Sequence, residues 1–209
     1  MLDHEYTMLG GVNRAKVGRY LSIISAAVSA GMVFVLLWAV NFAGKYGLPA
    51  QLPPYVLSLF GAGAVFTVLY WILNHYAWRW IIISRMLKVP NLAGEWSCKG
   101  NTLKTETTQA HSWDATVTIV QNWDRIRVRL KTEHSGSNST SAALIRDESD
   151  GFHLFYSYKN DPKIGEIELR SHRGFAEILF ARNLKTGEGE YFNGHGRYTF
   201  GTMRLERIS

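Results

Sequence analysis

The order of apolar and polar positions divides this chain near residue 90. From Tyr20 to Gly44 there is no Lys, Arg, Asp or Glu, and "YLSIISAAVSAGMVFVLLWAVNFA" is almost wholly apolar or small. At a rise of about 1.5 Å per residue, such a helix crosses a hydrocarbon core of about 30 Å. A second apolar run, "YVLSLFGAGAVFTVLYWILNHY", covers Tyr55 to Tyr76. Between them "GKYGLPAQLPP" carries glycines and three prolines, which suits a short loop outside the bilayer. The pattern predicts transmembrane helices at 20–43 and 55–78, a loop at 44–54, an N-terminal tail at 1–19 and a juxtamembrane linker at 79–89. The first run exceeds the roughly 7–15 apolar residues of a cleaved signal peptide, and a second span follows it directly, so both read as retained.

From Pro90 onward the period becomes two. In "RIRVRLK" Ile126, Val128 and Leu130 share one face, while Arg125, Arg127, Arg129 and Lys131 share the other. That alternation predicts a strand covered on one side only. Further strands are predicted at 94–101, 111–121, 138–146, 152–159, 166–171, 174–182, 189–193 and 198–208. Turn signals such as Asn122-Trp123-Asp124, Ser149-Asp150-Gly151 and Thr186-Gly187 separate them. Strands this short and numerous in residues 90–209 predict a sandwich or a closed antiparallel barrel. A barrel of about eight strands is favoured, because closure removes exposed edges and leaves a lumen for side chains or one small ligand.

Charge changes the picture by its placement. The net charge is +6, yet seven Lys/Arg stand against two Asp/Glu before residue 90, and sixteen against fifteen after it. Arg14, Lys16 and Arg19 precede the first span, Arg79, Arg85 and Lys88 follow the second, and the loop has only Lys45. The positive-inside rule places both termini and the 90–209 domain in the cytoplasm, with the 44–54 loop periplasmic. The excess charge thus orients the spans and meets anionic inner-membrane lipid, and a nucleic-acid polymer is not indicated as a partner. The single cysteine, Cys98, fits a reducing compartment and reads as a small buried hydrophobe.

Catalytic patterns are missing. The seven histidines are scattered, with no HExxH and no cysteine pairs, so neither a metal nor another cofactor is expected. "GEGEYFNGHGR" is glycine-dense but lacks the strand–loop–helix setting of a phosphate cradle, and reads as bends at barrel corners. An enzyme is not expected. What the strands do carry is aromatic and basic. "FHLFYSYKN" puts Tyr156 and Tyr158 on one face, spaced to stack a planar group; "SHRGFAEILF" and "GEYFNGHGRYTF" add His172, Arg173, Tyr191, His195, Arg197 and Tyr198. Rings stack bases, and guanidinium forks grip phosphate oxygens. A barrel with tyrosines at its rim and arginines in solvent accounts for the same residues without any nucleotide. A membrane-tethered barrel that carries or senses a lipid is the alternative function, distinguished by how polar its interior is.

The order of parts resembles one family. Two spans, a short linker, Gly94-Glu95-Trp96 opening a β-rich domain, "YSY" near its middle, "HRG", and "GEYFNGHGRYTFGTMRLER" at the end are similar to the SMODS-associated, two-transmembrane, β-strand-rich effectors of bacterial CBASS anti-phage defence. The resemblance implies an eight-stranded lipocalin-like barrel that binds a cyclic dinucleotide made by a partner nucleotidyltransferase. It further implies a homo-oligomer on activation, formed through the membrane segment, that disrupts the inner membrane. The positions that match are Trp96, Tyr156, Tyr158, His172, Arg173, Tyr191 and Arg197, which become the candidate ligand-binding residues.

Overall fold

The computed structural model describes residues 3–47, 53–103, 109–165, 170–194 and 197–208. The chain divides into two units, residues 12–77 and residues 1–11 with 78–209.

The first unit is helical. Helix α1 runs Arg14–Lys45, about 48 Å of helix by its rise. Asn13 caps it, its side-chain oxygen accepting from the Ala15 N–H at 2.8 Å. The return leg is broken into α2, Pro54–Leu59, and α3, Ala62–His75. Together they give two segments long and apolar enough to cross a membrane, Arg14–Lys45 and Val56–His75. The break at Phe60-Gly61 takes the Phe60 carbonyl out of the helical ladder, and the Ser29 hydroxyl of α1 donates to it, satisfying a group that lipid could not. Of the small residues in α1, Ser25 and Ser29 are buried within the hairpin, whereas Ser22, Ala26 and Ala30 remain on its exposed face.

Among the described residues the second unit holds nine strands: β1 His4–Leu9, β2 Gly94–Thr102, β3 His111–Gln121, β4 Arg125–Lys131, β5 Ser135–Asp147, β6 Gly151–Pro162, β7 His172–Phe180, β8 Thr186–Asn193 and β9 Phe200–Arg207. A 3-10 turn, Ala77–Arg79, and a short helix α4, Ile81–Leu87, lead into β2. The strand order is β1-β4-β3-β2-β9-β8-β7-β6-β5, and the sheet closes on itself. Among the described residues every pairing is antiparallel except that of β1 with β5. Of the predicted strands, the one at 166–171 falls mostly outside the described residues, and Arg170 and Ser171 are not in a strand.

The expectation of about eight strands accounts for β2–β9 and misses β1, which lies in what reads from sequence as a cytoplasmic tail. Only Tyr6 of β1 is fully buried, so the strand lacks the alternation that reveals the others. It wedges between β4 and β5, pairing His4 with Ile126 and Tyr6 to Leu9 with Ala142 to Ile145. The wedge enters beside a bulge in β5 between Ser139 and Ser141. There the Ser139 hydroxyl meets His4 Nε2 at 2.7 Å and accepts from the Val128 N–H at 2.9 Å. Gly187 and Gly189, expected at a barrel corner, instead lie inside β8.

Inward positions grade from apolar to polar along each strand. At one end Trp96, Val117, Ile119, Ile126, Val128, Leu154, Ile178, Phe180 and Leu205 are almost wholly buried. At the other, the inward series continues into Thr102 on β2, Asn160 on β6, His172 on β7 and Asn193 on β8. The barrel therefore has a filled floor and a polar mouth.

Candidate functional site

The mouth opens into a cavity of ≈ 460 Å³, within the usual range for small-molecule sites. Its wall includes Tyr156, Tyr158, His172, Tyr191 and Arg197, five of the seven residues singled out from sequence, joined by Trp113, Asn160 and Asn193. Tyr156 and Tyr158 face inward from β6 with ring centroids 5.9 Å apart. Trp113 meets Tyr191 edge to face at 5.6 Å.

Hydrogen bonds fix these rings. Tyr191 Oη accepts from Trp113 Nε1 at 3.2 Å and shares a 2.7 Å bond with the Thr102 hydroxyl. Tyr158 Oη donates to Asn193 Oδ1 at 2.8 Å, and Asn193 Nδ2 donates to the Thr199 hydroxyl at 2.7 Å. Two glycines make room. A Cβ at Gly174 would strike the Tyr158 ring and the Phe192 carbonyl, and one at Gly100 would strike the Trp113 indole. The aromatic walls thus pass over bare backbone, and a methyl group there would displace them.

Burial raises the Tyr156 and Tyr158 phenols well above their ordinary value, with the neighbouring tyrosine hydroxyls adding to the effect. Both are donors at neutral pH, not anions. His172 is pushed below its ordinary 6.5, mainly by desolvation, against the opposing effect of its 3.0 Å bond to the Arg170 carbonyl; Arg197 lowers it further. The folded barrel therefore favours the neutral ring, while the unfolded chain protonates near 6.5. Stability from this group is complete above that value and falls as pH drops below it, as the folded site resists the proton. We expect the urea midpoint of the wild-type protein to decline below pH 6.5 more steeply than that of His172→Gln. Equal slopes would contradict this.

Two sequence candidates do not line the cavity. Trp96 is fully buried on the floor: its Nε1 donates to the Leu92 carbonyl at 3.1 Å, its ring packs on Phe180 at 4.8 Å, and the Arg207 guanidinium covers it at 5.0 Å. Arg173 is exposed on the outer face, opposite Lys159. In a strand, adjacent residues point to opposite sides, so His172 and Arg173 cannot both face the lumen. His195 lies outside the described residues, and Tyr198 is exposed. Cys98 is buried, with its thiol pushed up to about 12 chiefly by desolvation and also by Asp114, so it is inert as a nucleophile. Among the described residues no cluster of three metal-ligating side chains occurs.

Trp113, Asn160 and Asn193 escaped the sequence reading. A signal existed for each. Gly100 stands directly opposite Trp113 in the β2–β3 register, leaving space for a large ring, and the two asparagines continue inward-facing series that begin apolar.

Comparison with known proteins supplies the context. Residues 87–207 match the family model described as "Cap15, cyclic dinucleotide receptor domain", and residues 15–79 match "Cap15, TM helices". A curated relative from Yersinia aleksiciae, CD-NTase-associated protein 15, is 41% identical over 208 residues, covering 100% of this chain and 99% of the relative.

Proposed function

The chain belongs to the Cap15 family, and from that premise we propose that the mouth of its barrel is the cyclic dinucleotide site and that ligand binding drives assembly of the transmembrane hairpin. The family is one of receptors, not catalysts: a cyclic dinucleotide receptor domain joined to transmembrane helices.

The observation that carries the reading is the cavity wall itself, lying within the matched receptor domain. Three tyrosines and a tryptophan surround it, and Arg197 stands at its edge. Tyr156 with Tyr158, and Trp113 with Tyr191, offer surfaces on which a base stacks. Arg197 supplies a fork for a phosphodiester oxygen. The polar side chains of the wall, Asn160, Asn193 and Thr199 among them, suit a nucleotide better than a lipid tail, which would take them out of water and offer no hydrogen bond in return. Equilibrium binding of cyclic dinucleotides to the full-length protein tests this reading against the lipid one, for which a long-chain lipid would be the saturating ligand.

Such a receptor would be lipocalin-like, since a closed sheet with a filled floor and an open mouth is how such barrels hold one ligand. The messenger would come from a partner nucleotidyltransferase, and the output would be disruption of the inner membrane by a homo-oligomer. Both termini, the barrel and its ligand would share the cytoplasm, as the basic residues flanking the spans favour. Ile164 is fully exposed in the β6–β7 connection, whereas Cys98 is too buried to report. Ile164→Cys is therefore expected to react with a membrane-impermeant maleimide in inverted vesicles and not in intact spheroplasts. The opposite pattern would reverse the topology.

A further inference from the structure

The outer face of the barrel carries an aromatic row that the ligand site does not use. Phe175 on β7 stands directly beside Phe192 on β8, and Phe192 beside Phe200 on β9. Phe175 and Phe192 stack at 5.6 Å, and Phe155 of β6 lies 6.2 Å from Phe175. Phe192 is 55% exposed and Phe200 46%. Outward aromatics side by side on three adjacent strands form a contiguous apolar patch, of the kind that marks an interaction surface.

Charge flanks this row with opposite signs. Along β7 the successive outward positions are Arg173, Phe175 and Glu177. Lys159 extends the positive side on β6, opposite Arg173, and Glu190 extends the negative side on β8, opposite Glu177. Lys159 is paired with Asp161 at 2.9 Å and Glu177 with His153 at 3.0 Å. Among the described residues neither Arg173 nor Glu190 has an ion-pair partner.

We propose that this face docks on the same face of a second copy of the chain. The order positive, aromatic, negative is complementary to itself after rotation by a twofold axis lying along the aromatic row. Phe175 and Phe192 then meet their own counterparts, and Arg173 of each copy comes over Glu177 of the other, one strand away from its Glu190. A closed, isologous contact needs this self-complementarity. An anionic lipid surface fits poorly, because the acidic side would be repelled. Anchoring two chains in one membrane raises their effective concentration, so a modest face suffices. The inference goes beyond the ligand reading and does not depend on it, since the face lies outside the cavity.

The test uses full-length protein in native membranes without added nucleotide. In a Cys98→Ala background, Phe192→Cys should give a disulfide-linked dimer on mild oxidation, at least fivefold more than Val120→Cys, an exposed control on β3. Arg173→Glu added to Phe192→Cys should cut that yield at least fivefold. Adding Glu177→Arg as well restores the order in reverse and should recover most of the yield. Thermal unfolding of each variant checks that the barrel remains folded. A Phe192→Cys yield no higher than the control, or an Arg173→Glu loss that Glu177→Arg does not repair, would overturn the proposal. No change in Phe192→Cys crosslinking on adding Arg173→Glu would likewise overturn it.

Discussion

Cells expressing the Ala26→Leu variant are expected to survive conditions in which ligand-activated wild-type protein admits a membrane-impermeant dye, while the variant still binds ligand. Ala26 lies on the face of α1 that hairpin packing leaves exposed, next in the small-residue series to Ser22 and Ala30. Small residues at that spacing let helix backbones approach closely, and a leucine holds them apart. Ser25 and Ser29, by contrast, are buried in the hairpin, and Ser29 holds the Phe60 carbonyl. Leucine at Ser29 would damage the hairpin itself, so the two faces of α1 separate assembly from folding. Ligand can shift the protein toward an assembled form only by binding that form more tightly. Crosslinking in membranes should therefore show larger species with ligand for wild type and none for Ala26→Leu. Dye entry retained by Ala26→Leu would remove this face from the mechanism.

The second large effect concerns recognition. Arg197→Ala should weaken cyclic dinucleotide binding by about 10- to 150-fold, since hydrogen bonds to charged groups contribute about 1.5–3 kcal/mol. Tyr158→Leu, which removes a stacking ring together with the hydroxyl that holds Asn193, should cost about 5- to 150-fold. Arg173→Ala should leave affinity within about twofold, because an exposed charge on the outer face is screened from the lumen. The contrast between the two arginines is the useful part. Equal losses at Arg173 and Arg197 would mean that ligand sits on the outer face and not in the cavity.

Much of the barrel was legible because one face of each strand is dry. The β4 alternation of Ile126, Val128 and Leu130 against Arg125, Arg127 and Arg129 needs no partner to be read. Strand β1 was not legible, since a single buried residue, Tyr6, carries its whole inward signal and its parallel partner β5 lies far along the chain. The candidate site divides in the same way. Tyr156, Tyr158 and Tyr191 reach the lumen because period two gives them the phase of buried neighbours. Arg173 was misplaced although the phase of Ala176, Ile178 and Phe180 already put odd positions of β7 outside. Trp96 shares the inward phase of Thr102, but six residues of strand, about 20 Å, carry it to the floor. Which end of a barrel is filled and which is open follows from all the strands together, and no single one states it.

The central claim is that the barrel mouth holds one cyclic dinucleotide. Equilibrium dialysis of labelled cyclic dinucleotides against the full-length protein in nanodiscs measures this directly. The expected result is saturable binding of at least one cyclic species at one molecule per chain, displaced by unlabelled ligand and not by the linear dinucleotide of the same bases. If a folded protein binds no cyclic dinucleotide above that linear control, the cavity is not the receptor site.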